Sequence, residues 1–374
     1  MQKKALMLAS VASMIDQFNM PNIQLLQSLG YTVDVVADFT NPGTITKERA
    51  NDLTKRLSAM NVQVIDVPIP RSLNPFAIIS AYVRVRKLIT TGNYVLIHCH
   101  SPVGGFICRL AARKERKKGT RVIYTAHGFH FYKGAPIKNW LLFYPVEWVC
   151  SWWTDVLITI NKEDYERAKK HFHAKKTVYV PGVGIDTKKF APVPNNREKI
   201  RKTLGVKDDQ NMLLSVGELN TNKNHEAVIR AIQGMEKIVY VIVGKGELEK
   251  HLKAIKEQAD VRVVGFREDV SDFYDAADAF ILPSFREGLN VSLMEAMASG
   301  LAVTCSNIRG NTDLISDANC LFNPRDTDNI KTAIEYAVKN KTDLGAHNLE
   351  RIRTFFDLSS VRNLISVAYT SQAI

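Results

Sequence analysis

Cysteine is scarce in this sequence and follows no spacing typical of a disulfide framework or a redox pair. The five cysteines form no CxxC pair: Cys99, Cys108, Cys150, Cys305 and Cys320. An odd number of cysteines without a disulfide spacing is typical of a reducing compartment. The sequence therefore predicts a cytoplasmic protein.

Long apolar runs are also missing. The most apolar segment, residues 140–153, is shorter than the roughly 20 residues that a membrane-spanning helix needs, and Pro145 and Glu147 interrupt it. The N-terminal run MQKKALMLASVASMIDQF contains Asp16 and shows no clear signal-peptide cleavage pattern. We therefore expect neither a transmembrane segment nor export.

No short repeat and no low-complexity tract occurs in the 374 residues, a length that favours about two domains. Short apolar runs such as YVLIHCH and RVIYTAH alternate with helical stretches such as GGFICRLAARKERKK, which is typical of βαβ units and a parallel sheet. The Pro- and Gly-rich segment 178–194 predicts a linker, after which IVYVIVGKGE and AFILPSF predict further strands. The expected fold class is α/β, with two Rossmann-like parallel-sheet domains.

Acidic residues are few in the first half. Residues 1–180 contain 25 lysines and arginines against 12 aspartates and glutamates, a net charge of +13, whereas residues 181–374 contain 25 against 26. A basic domain predicts an anionic partner. The charge alone leaves nucleic acid, an acidic membrane leaflet and a phosphorylated substrate open.

Residues 113–118 carry five cations, and HGFHFYKG contributes the aromatic side chains of Phe129, Phe131 and Tyr132. These features suit docking on an anionic leaflet. A solvated helix face is the alternative for the charge run. The tryptophans, Trp140, Trp148, Trp152 and Trp153, favour core packing over membrane anchoring.

Two carboxylates lie eight positions apart in SFREGLNVSLMEAMASG, residues 284–300. AFILPS predicts a buried strand, and GLNVSLMEAMASG predicts a helix from near Gly288 to Gly300, with Glu287 at its entrance. Helix N-termini at the carboxyl ends of parallel strands suit phosphate. Glu295 lies among apolar neighbours, where a carboxylate needs donors such as ribose hydroxyls. A carboxylate that only interacts with the helix dipole is the alternative for Glu287.

Missing residues exclude two other kinds of site. VGKGELE has G-x-G but no third glycine, so the dinucleotide fingerprint is incomplete, and the basic half contains no recognised nucleic-acid module. His98 and His100 form an i, i+2 pair without further ligands at a readable spacing. We therefore expect no metal site and no nucleic-acid partner.

Several motifs occur together with these carboxylates. The E-x7-E pair is followed by EAMASG, and the chain also contains VGELNTNKNH, VGKGELE, VGFREDV, PGVGIDTKKF, HCHSPVGG and YTAHGFHFYKG. This set resembles the retaining family 4 glycosyltransferases over nearly the whole chain, and among them the enzymes of bacterial capsule, exopolysaccharide and lipid-linked oligosaccharide synthesis. The resemblance implies the GT-B fold, in which two Rossmann-like domains face a cleft.

The resemblance also assigns the domains. Residues 1–183 would form the N-terminal, acceptor-binding domain, and residues 184–356 the C-terminal, nucleotide-sugar-binding domain. A helix of residues 357–374 would cross back to the N-terminal domain and brace the hinge.

The resemblance further implies roles for single residues. Glu295 would bind the ribose hydroxyls, Glu287 the donor sugar's hydroxyls, and Lys223 the diphosphate. His127 would contact the donor sugar, so the expected catalytic residues are His127, Glu287 and Lys223. The donor site would also include Gly217, Phe266, Arg267, Gly288, Leu289 and Asn290, with the base received at residues 266–267. A core position is the alternative for Phe266.

Two departures from the family pattern set further expectations. Glu218 stands where many members have a phosphate-binding arginine, so either Arg286 or another cation replaces that contact or the nucleotide is held less tightly. A surface position is the alternative for Arg286. The first strand–helix turn reads SVASMIDQFNMP and lacks the usual Gly-Gly pair, so we expect either acceptor recognition or a structural turn there. The acceptor candidates are Asp16, Gln17, Asn19, His100 and Phe129.

The expected activity is retaining transfer of a hexose or N-acetylhexosamine from a UDP-sugar to a glycan or polyprenyl-diphosphate-linked acceptor in bacterial surface polysaccharide synthesis. The UDP-sugar is a co-substrate, and neither a cofactor nor a metal ion is expected. The alternative is a nucleotide-sugar epimerase with the GT-B fold. The expected location is the cytoplasm, with peripheral contact at the inner face of the plasma membrane left open.

Overall fold

The computed structural model describes residues 3–72, 74–193, 196–255 and 259–370, and the chain divides into two compact units. The first unit comprises Met1–Val183 and Arg362–Ile374, and the second comprises Gly184–Val361. Pro194 of the predicted linker and residues 371–374 of the predicted crossing helix lie outside the described residues.

The described part of the first unit contains a seven-stranded parallel sheet. Its strands are β1 (Lys3–Val11), β2 (Tyr31–Asp38), β3 (Gln63–Asp66), β4 (Leu96–His100), β5 (Arg121–Ala126), β6 (Val156–Thr159) and β7 (Lys176–Tyr179). They pair in the order β3-β2-β1-β4-β5-β6-β7. The central strands are almost entirely buried, as expected of a parallel sheet covered by helices on both faces.

The helices of the first unit connect these strands. They are α1 (Ala12–Phe18), α2 (Met20–Ser28), α3 (Lys47–Ala59), α4 (Pro75–Thr91), α5 (Pro102–Lys117), α6 (Ile137–Ser151) and α7 (Lys162–His171). Within the described part of the chain, none is both long enough and apolar enough to cross a bilayer.

The described part of the second unit contains a six-stranded parallel sheet. Its strands are β8 (Asn211–Val216), β9 (Ile238–Val243), β10 (Val261–Gly265), β11 (Ala279–Leu282), β12 (Ala302–Ser306) and β13 (Leu321–Phe322). They pair in the order β10-β9-β8-β11-β12-β13.

The helices of the second unit are α8 (Asn196–Leu204), α9 (His225–Ala231), α10 (Glu249–Ile255), α11 (Val270–Ala276), α12 (Val291–Ala298), α13 (Asn311–Leu314), α14 (Thr327–Lys339) and α15 (Lys341–Phe355). Helix α16 (Leu358–Thr370) begins in the second unit and ends in the first.

The strand order places a switch point in each sheet. In the first sheet, β1 lies between β2 and β4, and in the second sheet, β8 lies between β9 and β11. Connections leave such a strand pair in opposite directions, which opens a crevice outside the carboxyl ends of the strands where ligands of open α/β sheets bind. A ligand site in the second unit is therefore expected at the segments after β8 and β11.

Candidate active site

The predicted donor residues gather at the switch point of the second sheet. Gly217 follows β8 directly, and Lys223 ends the 3₁₀ turn Thr221–Lys223 of the same connection. Glu287 lies on the turn after β11, and that turn leads into α12, which carries Glu295. The fold thus collects at one sheet edge residues that are far apart in the sequence.

Asparagine side chains fix the turn that carries Lys223. Asn220 Oδ1 accepts a hydrogen bond of 3.1 Å from the backbone N–H of Lys223. Asn224 adopts the left-handed conformation (φ 53°), where asparagine is enriched, and its Nδ2 donates to the carbonyl oxygens of Pro283 (3.2 Å) and Pro324 (2.8 Å). These bonds tie the connection after β8 to the end of β11.

Lys223 and Glu287 form an ion pair. Lys223 Nζ lies 2.7 Å from Glu287 Oε1, and the two side chains are only 15% and 12% exposed. Water and salt screen a partly buried pair of this kind less than a surface pair. A fixed ammonium therefore stands beside the entrance of α12, where it can stabilise a leaving group that gains negative charge.

Helix α12 begins at Val291, and not near Gly288 as expected, because Asn290 is its N-cap. Asn290 Oδ1 accepts hydrogen bonds from the backbone N–H of Leu293 (2.9 Å) and from the Ser292 hydroxyl (2.7 Å). Leu289 and Asn290 are buried, and the Asn290 side chain caps the helix. A ligand at the predicted positions 288–290 would meet the backbone of the turn, which the positive end of the helix dipole favours for an anion.

Glu295 is a half-buried carboxylate on the second turn of α12. Its Oε2 accepts a hydrogen bond of 2.8 Å from the Tyr274 hydroxyl of α11. Burial raises the pKa of Glu295 above its ordinary value, while the Tyr274 hydrogen bond and the charge of Lys189 oppose that rise. The protein thus holds one carboxylate oxygen, whereas Oε1 has no hydrogen-bond partner among the described residues.

Close backbone packing requires glycine at both glycine positions of VGKGELE, Gly244 and Gly246. A Cβ added at Gly244 (φ +153°) would lie 1.8 Å from the carbonyl oxygen of Gly217, and one added at Gly246 would lie 2.3 Å from that of Leu219. Both distances are far below a normal carbon–oxygen contact. The connections after β8 and β9 therefore touch backbone to backbone, which holds Gly217 and the Lys223 turn in place.

Phe266 and Arg267 follow β10 on the same unit. Phe266 is 60% exposed, which rules out the core position that the sequence left open. The Lys245 ammonium lies 5.1 Å from the centroid of the Phe266 ring. Arg267 makes two hydrogen bonds to Asp269, of 2.8 and 2.6 Å. An exposed aromatic face with a neighbouring cation thus stands at the position predicted for the base, and the Arg267 side chain is already engaged.

Arg309 is a cation of this site that the sequence analysis did not select. It follows β12, and its Nε donates to the carbonyl oxygen of Glu287 at 3.3 Å. Gly310 (φ +82°) brings this segment against the same turn, since a Cβ there would lie 2.1 Å from the carbonyl oxygen of Gly288. Arg286, the cation that the sequence offered as a replacement, is exposed. The sequence feature that could have identified Arg309 is the pair Arg309-Gly310, which lies between β12 and the short helix α13.

His127 of the first unit lies beside two buried histidines. His98 and His100 are on β4 and His127 follows β5, so neighbouring parallel strands bring the three rings together. His100 Nδ1 lies 3.1 Å from His127 Nε2, and the His98 and His100 ring centroids are 4.2 Å apart. His100 is fully buried, which corrects the expectation that it contacts the acceptor.

The pKa values of all three histidines are lowered, which favours their neutral forms at pH 7. Burial lowers the pKa of His127 to about 4 and that of His98 to about 3, and it also lowers the pKa of His100. Each imidazole therefore carries one N–H and one lone pair, and the hydrogen bonds around it decide which nitrogen carries the proton.

Two further acceptor candidates are core residues. Phe129 is buried, and its ring stacks on Phe131 with centroids 4.8 Å apart. Asn19 is buried as well, its Nδ2 donates to the carbonyl oxygen of Met14 (2.9 Å), and its Oδ1 accepts from Asn22 (3.0 Å). Both predictions are wrong, because the ring face and the amide are occupied within the protein.

Asp16 also needs correction. Its carboxylate is 1% exposed and pairs with Arg49 at 2.6 Å and with Arg56, both on α3. The carboxylate thus anchors α3 to α1 and has no exposed surface for an acceptor. Gln17 is exposed and donates to Thr44 Oγ1 at 3.3 Å, so its acceptor role stays a prediction.

The positive charge around Glu287 comes from side chains and a helix start. Among the described residues, no group of three or more His, Cys, Asp or Glu side chains is arranged to hold a metal ion. Lys223 contacts the Glu287 carboxylate, Arg309 contacts its carbonyl oxygen, and the N-terminus of α12 adds a partial positive charge.

Comparison with known proteins gives the family. The family described as Glycosyltransferase Family 4 matches residues 23–189, and that described as Glycosyl transferases group 1 matches residues 196–352. EpsD of Bacillus subtilis (strain 168), a glycosyltransferase by name, is 36% identical over 85% of this chain and 82% of its own length. This chain belongs to the family 4 glycosyltransferases.

Other similar proteins agree with that family. The Escherichia coli UDP-Gal:alpha-D-GlcNAc-diphosphoundecaprenol alpha-1,3-galactosyltransferase is 31% identical over 66% of each chain. The crystal structure of Anabaena Alr3699/HepE in complex with UDP and glucose superimposes with a TM-score of 0.77, at 16% identity, over 99% of this chain and 100% of that one. At that identity the likeness shows the fold alone. The predictions of a family 4 glycosyltransferase and of the GT-B fold are confirmed.

Proposed function

We propose that this family 4 glycosyltransferase transfers a hexose or N-acetylhexosamine from a UDP-sugar, with retention of configuration, to a glycan or polyprenyl-diphosphate-linked acceptor in bacterial surface polysaccharide synthesis. The observation that carries the proposal is the Lys223–Glu287 ion pair at the entrance of α12, with Glu295 on the same helix. Two similar proteins support it. The E. coli relative is named for a UDP-galactose donor and a diphosphoundecaprenol-linked acceptor, and the HepE structure contains UDP and glucose.

The nucleotide would bind along the switch point of the second sheet. Glu295 Oε1 would accept a hydrogen bond from a ribose hydroxyl, because Oε2 is already held by Tyr274. The diphosphate would lie at the turn before α12, where the Lys223 ammonium and the positive end of the helix dipole stabilise negative charge. The base would lie at residues 266–267. No metal ion is required, because these groups already supply positive charge at the leaving phosphate.

Transfer with retention can then proceed on one face of the sugar. The bond between carbon 1 and the phosphate oxygen breaks while the acceptor hydroxyl forms the new bond from the same side. The acceptor proton passes to the departing phosphate oxygen, which releases UDP. Glu287 positions the hydroxyls of the donor sugar and, with Lys223, stabilises charge, and His127 is proposed to contact the same sugar.

A thermal-shift screen of UDP-, GDP- and ADP-sugars tests the donor class. A ligand that binds only the folded state adds about 2.7 kcal/mol of stability at 100 times its Kd, so UDP-sugars are expected to raise the Tm and the other two classes are not. Stabilisation by GDP- or ADP-sugars alone would contradict the UDP assignment. Conversion of the donor to an isomer in the absence of acceptor would contradict transfer as the activity.

We propose that Arg309 takes the role of the phosphate-binding arginine that many family members have at the position of Glu218. Arg309→Gln is expected to weaken UDP binding about tenfold, because a hydrogen bond to a charged group contributes about 1.5–3 kcal/mol. Uridine lacks the diphosphate, so its affinity should not change. Calorimetric titration with both ligands separates these effects. Arg353→Gln, at an exposed arginine of α15, is the matched control. Equal losses for UDP and uridine would mean that Arg309 only supports the Glu287 carbonyl.

The first unit presents apolar side chains to solvent on two helices. Ile137 and Leu141 on α6 are exposed, as is Trp152 directly after that helix, and Phe76 and Ile79 on α4 are exposed as well. Helix α5 packs against both of these helices and carries the cation run 113–118. The exposure of Trp148 and Trp152 corrects the expectation that these two tryptophans pack in the core. Apolar side chains flanked by cations favour an anionic membrane leaflet as the partner of this surface.

The five cations of residues 113–118 differ in exposure and in ion pairing. Arg116 lies 2.9 Å from an oxygen of Asp155, and Lys118 pairs with Glu115 at 3.0 Å. The other three, Arg113, Lys114 and Lys117, are exposed. We therefore propose that only these three of the five cations face the membrane.

Changing Arg113, Lys114 and Lys117 to glutamine is expected to reduce binding to anionic liposomes, because each cation near such a surface contributes about 1 kcal/mol. Co-sedimentation at several salt concentrations measures this effect, and Leu141→Ser tests the apolar contribution. The control changes Lys199, Lys202 and Lys207, exposed lysines of the second unit, to glutamine. Equal sedimentation of the wild type and both first-unit variants would leave the run as an ordinary solvated helix face.

A further inference from the structure

His100 connects His127 to the interior of the first sheet. Its Nδ1 lies 3.1 Å from His127 Nε2, and its Nε2 lies 3.2 Å from the sulfur of Met7 on β1. His98 does not compete for these positions, because its two ring nitrogens already bond the hydroxyls of Tyr369 and Thr125, each at 2.8 Å. Both nitrogens of the buried His100 ring are therefore accounted for by one histidine and one thioether.

Only one arrangement of protons satisfies both contacts. A thioether sulfur has no hydrogen to donate and accepts only weakly. If His100 carried its proton on Nδ1, its Nε2 lone pair would face the sulfur of Met7 without any donor, and an unsatisfied buried acceptor is unfavourable. With the proton on Nε2, His100 donates to Met7, and its Nδ1 accepts a hydrogen bond from His127.

The proton of His127 then lies on Nε2, and Nδ1 carries the lone pair. The His127 ring is half-buried, and its Nδ1 makes no hydrogen bond to any described residue. Phe18 is the other ring beside it, with centroids 5.8 Å apart, and carries no polar atom that could reverse the choice. The nitrogen of His127 that is left for a ligand is thus a hydrogen-bond acceptor.

We infer that His100 is a positioning residue which, through its contact with Met7, holds His127 in the tautomer that accepts a hydrogen bond from a sugar hydroxyl at Nδ1. The inference rests on the proposed function for the identity of the ligand, but the tautomer belongs to the free protein. A hydroxyl can donate to such a nitrogen, whereas a carboxylate in the same place would be repelled by the lone pair. His127 therefore selects a hydroxyl over a carboxylate at the sugar position it contacts.

The tautomer can be read directly by NMR of the full chain labelled with ¹⁵N-histidine. The expected spectrum shows His127 with an N–H at Nε2 and an imine nitrogen at Nδ1, and His100 with the same pattern. A His127→Gln sample assigns the signals. An N–H at Nδ1 of His127 would overturn the inference whether or not the enzyme turns over any UDP-sugar.

Two variants test the role in transfer. His100→Leu removes the acceptor for the His127 proton and is expected to lower kcat about tenfold, the loss of roughly one hydrogen bond, with the Kd for UDP unchanged. His100→Asn keeps an amide oxygen bonded to Cγ, as Nδ1 is, that can accept the same hydrogen bond, so it is expected to restore most of kcat and the His127 spectrum. Failure of His100→Asn to restore either would mean that the ring only fills space. Absence of UDP-sugar turnover in the wild type would count against the proposed function and leave the spectrum to decide the tautomer.

Discussion

Lys223→Met is expected to reduce kcat for sugar transfer by about 100- to 1000-fold, as removal of one fixed donor from a site of developing charge does in other enzymes. Lys223 is the cation paired with Glu287, and the pair is mostly buried. In the proposed reaction the departing UDP gains negative charge, so the ammonium is expected to interact more strongly with the transition state than with the bound donor. Steady-state kinetics should therefore show the loss mainly in kcat and less in the KM for the UDP-sugar.

A loss of activity in Lys223→Met could also result from reduced stability, because Glu287 loses its partner. Lys223→Met leaves the Glu287 carboxylate buried and unpaired, which alone is destabilising. The double variant Lys223→Met, Glu287→Gln removes that strain and is expected to regain thermal stability but no activity. Lys237→Met, at an exposed lysine of the same unit, is the control. A loss in kcat below about threefold, well under the effect of a transition-state contact, would remove Lys223 from the catalytic residues.

Glu295→Ala is expected to lower the affinity for UDP at least about tenfold, because the hydrogen bond from a ribose hydroxyl to the carboxylate contributes about 1.5–3 kcal/mol. Burial raises the pKa of Glu295, so UDP binding should weaken as the pH falls and the carboxylate becomes protonated. Tyr274→Phe removes a hydrogen bond that opposes this rise, so the weakening should begin at a higher pH. Calorimetry across a pH series measures both effects.

The matched control for that series is Glu350→Ala, at an exposed glutamate on α15. Its affinity for UDP and its pH dependence should equal those of the wild type. An unchanged affinity in Glu295→Ala would remove the ribose assignment. An unshifted pH profile in Tyr274→Phe would show that protonation of Glu295 does not control nucleotide binding.

Local sequence patterns were sufficient to predict the fold. Alternation of short apolar runs with helices requires a parallel sheet, and the break at residues 178–194 separates two such series. Switch points follow from the strand order, and they place Lys223 and Glu287 at one edge. The resemblance to a known family identified these two residues as site residues. The contact between them could not be predicted from the sequence around either residue alone.

Burial of single side chains could not be predicted in the same way. Asp16 reads as a loop carboxylate, yet its partners Arg49 and Arg56 lie on a helix more than thirty positions later. Phe129 follows a strand and reads as exposed, but the stacking on Phe131 puts it in the core. Arg309 was missed for the same reason, since only the folded chain brings it to the carbonyl oxygen of Glu287.

The most direct test of the central claim is proton NMR of the transfer reaction, run in excess EDTA with a UDP-sugar and a polyprenyl-diphosphate-linked sugar acceptor. In the proposed function, Lys223 and the start of α12 supply the charge that a metal ion supplies in other transferases, so the reaction is expected to proceed without a divalent cation. The account predicts release of UDP and a new glycosidic bond with the same anomeric configuration as the donor. A product of inverted configuration, or a complete loss of transfer in EDTA that Mg²⁺ restores, would contradict it.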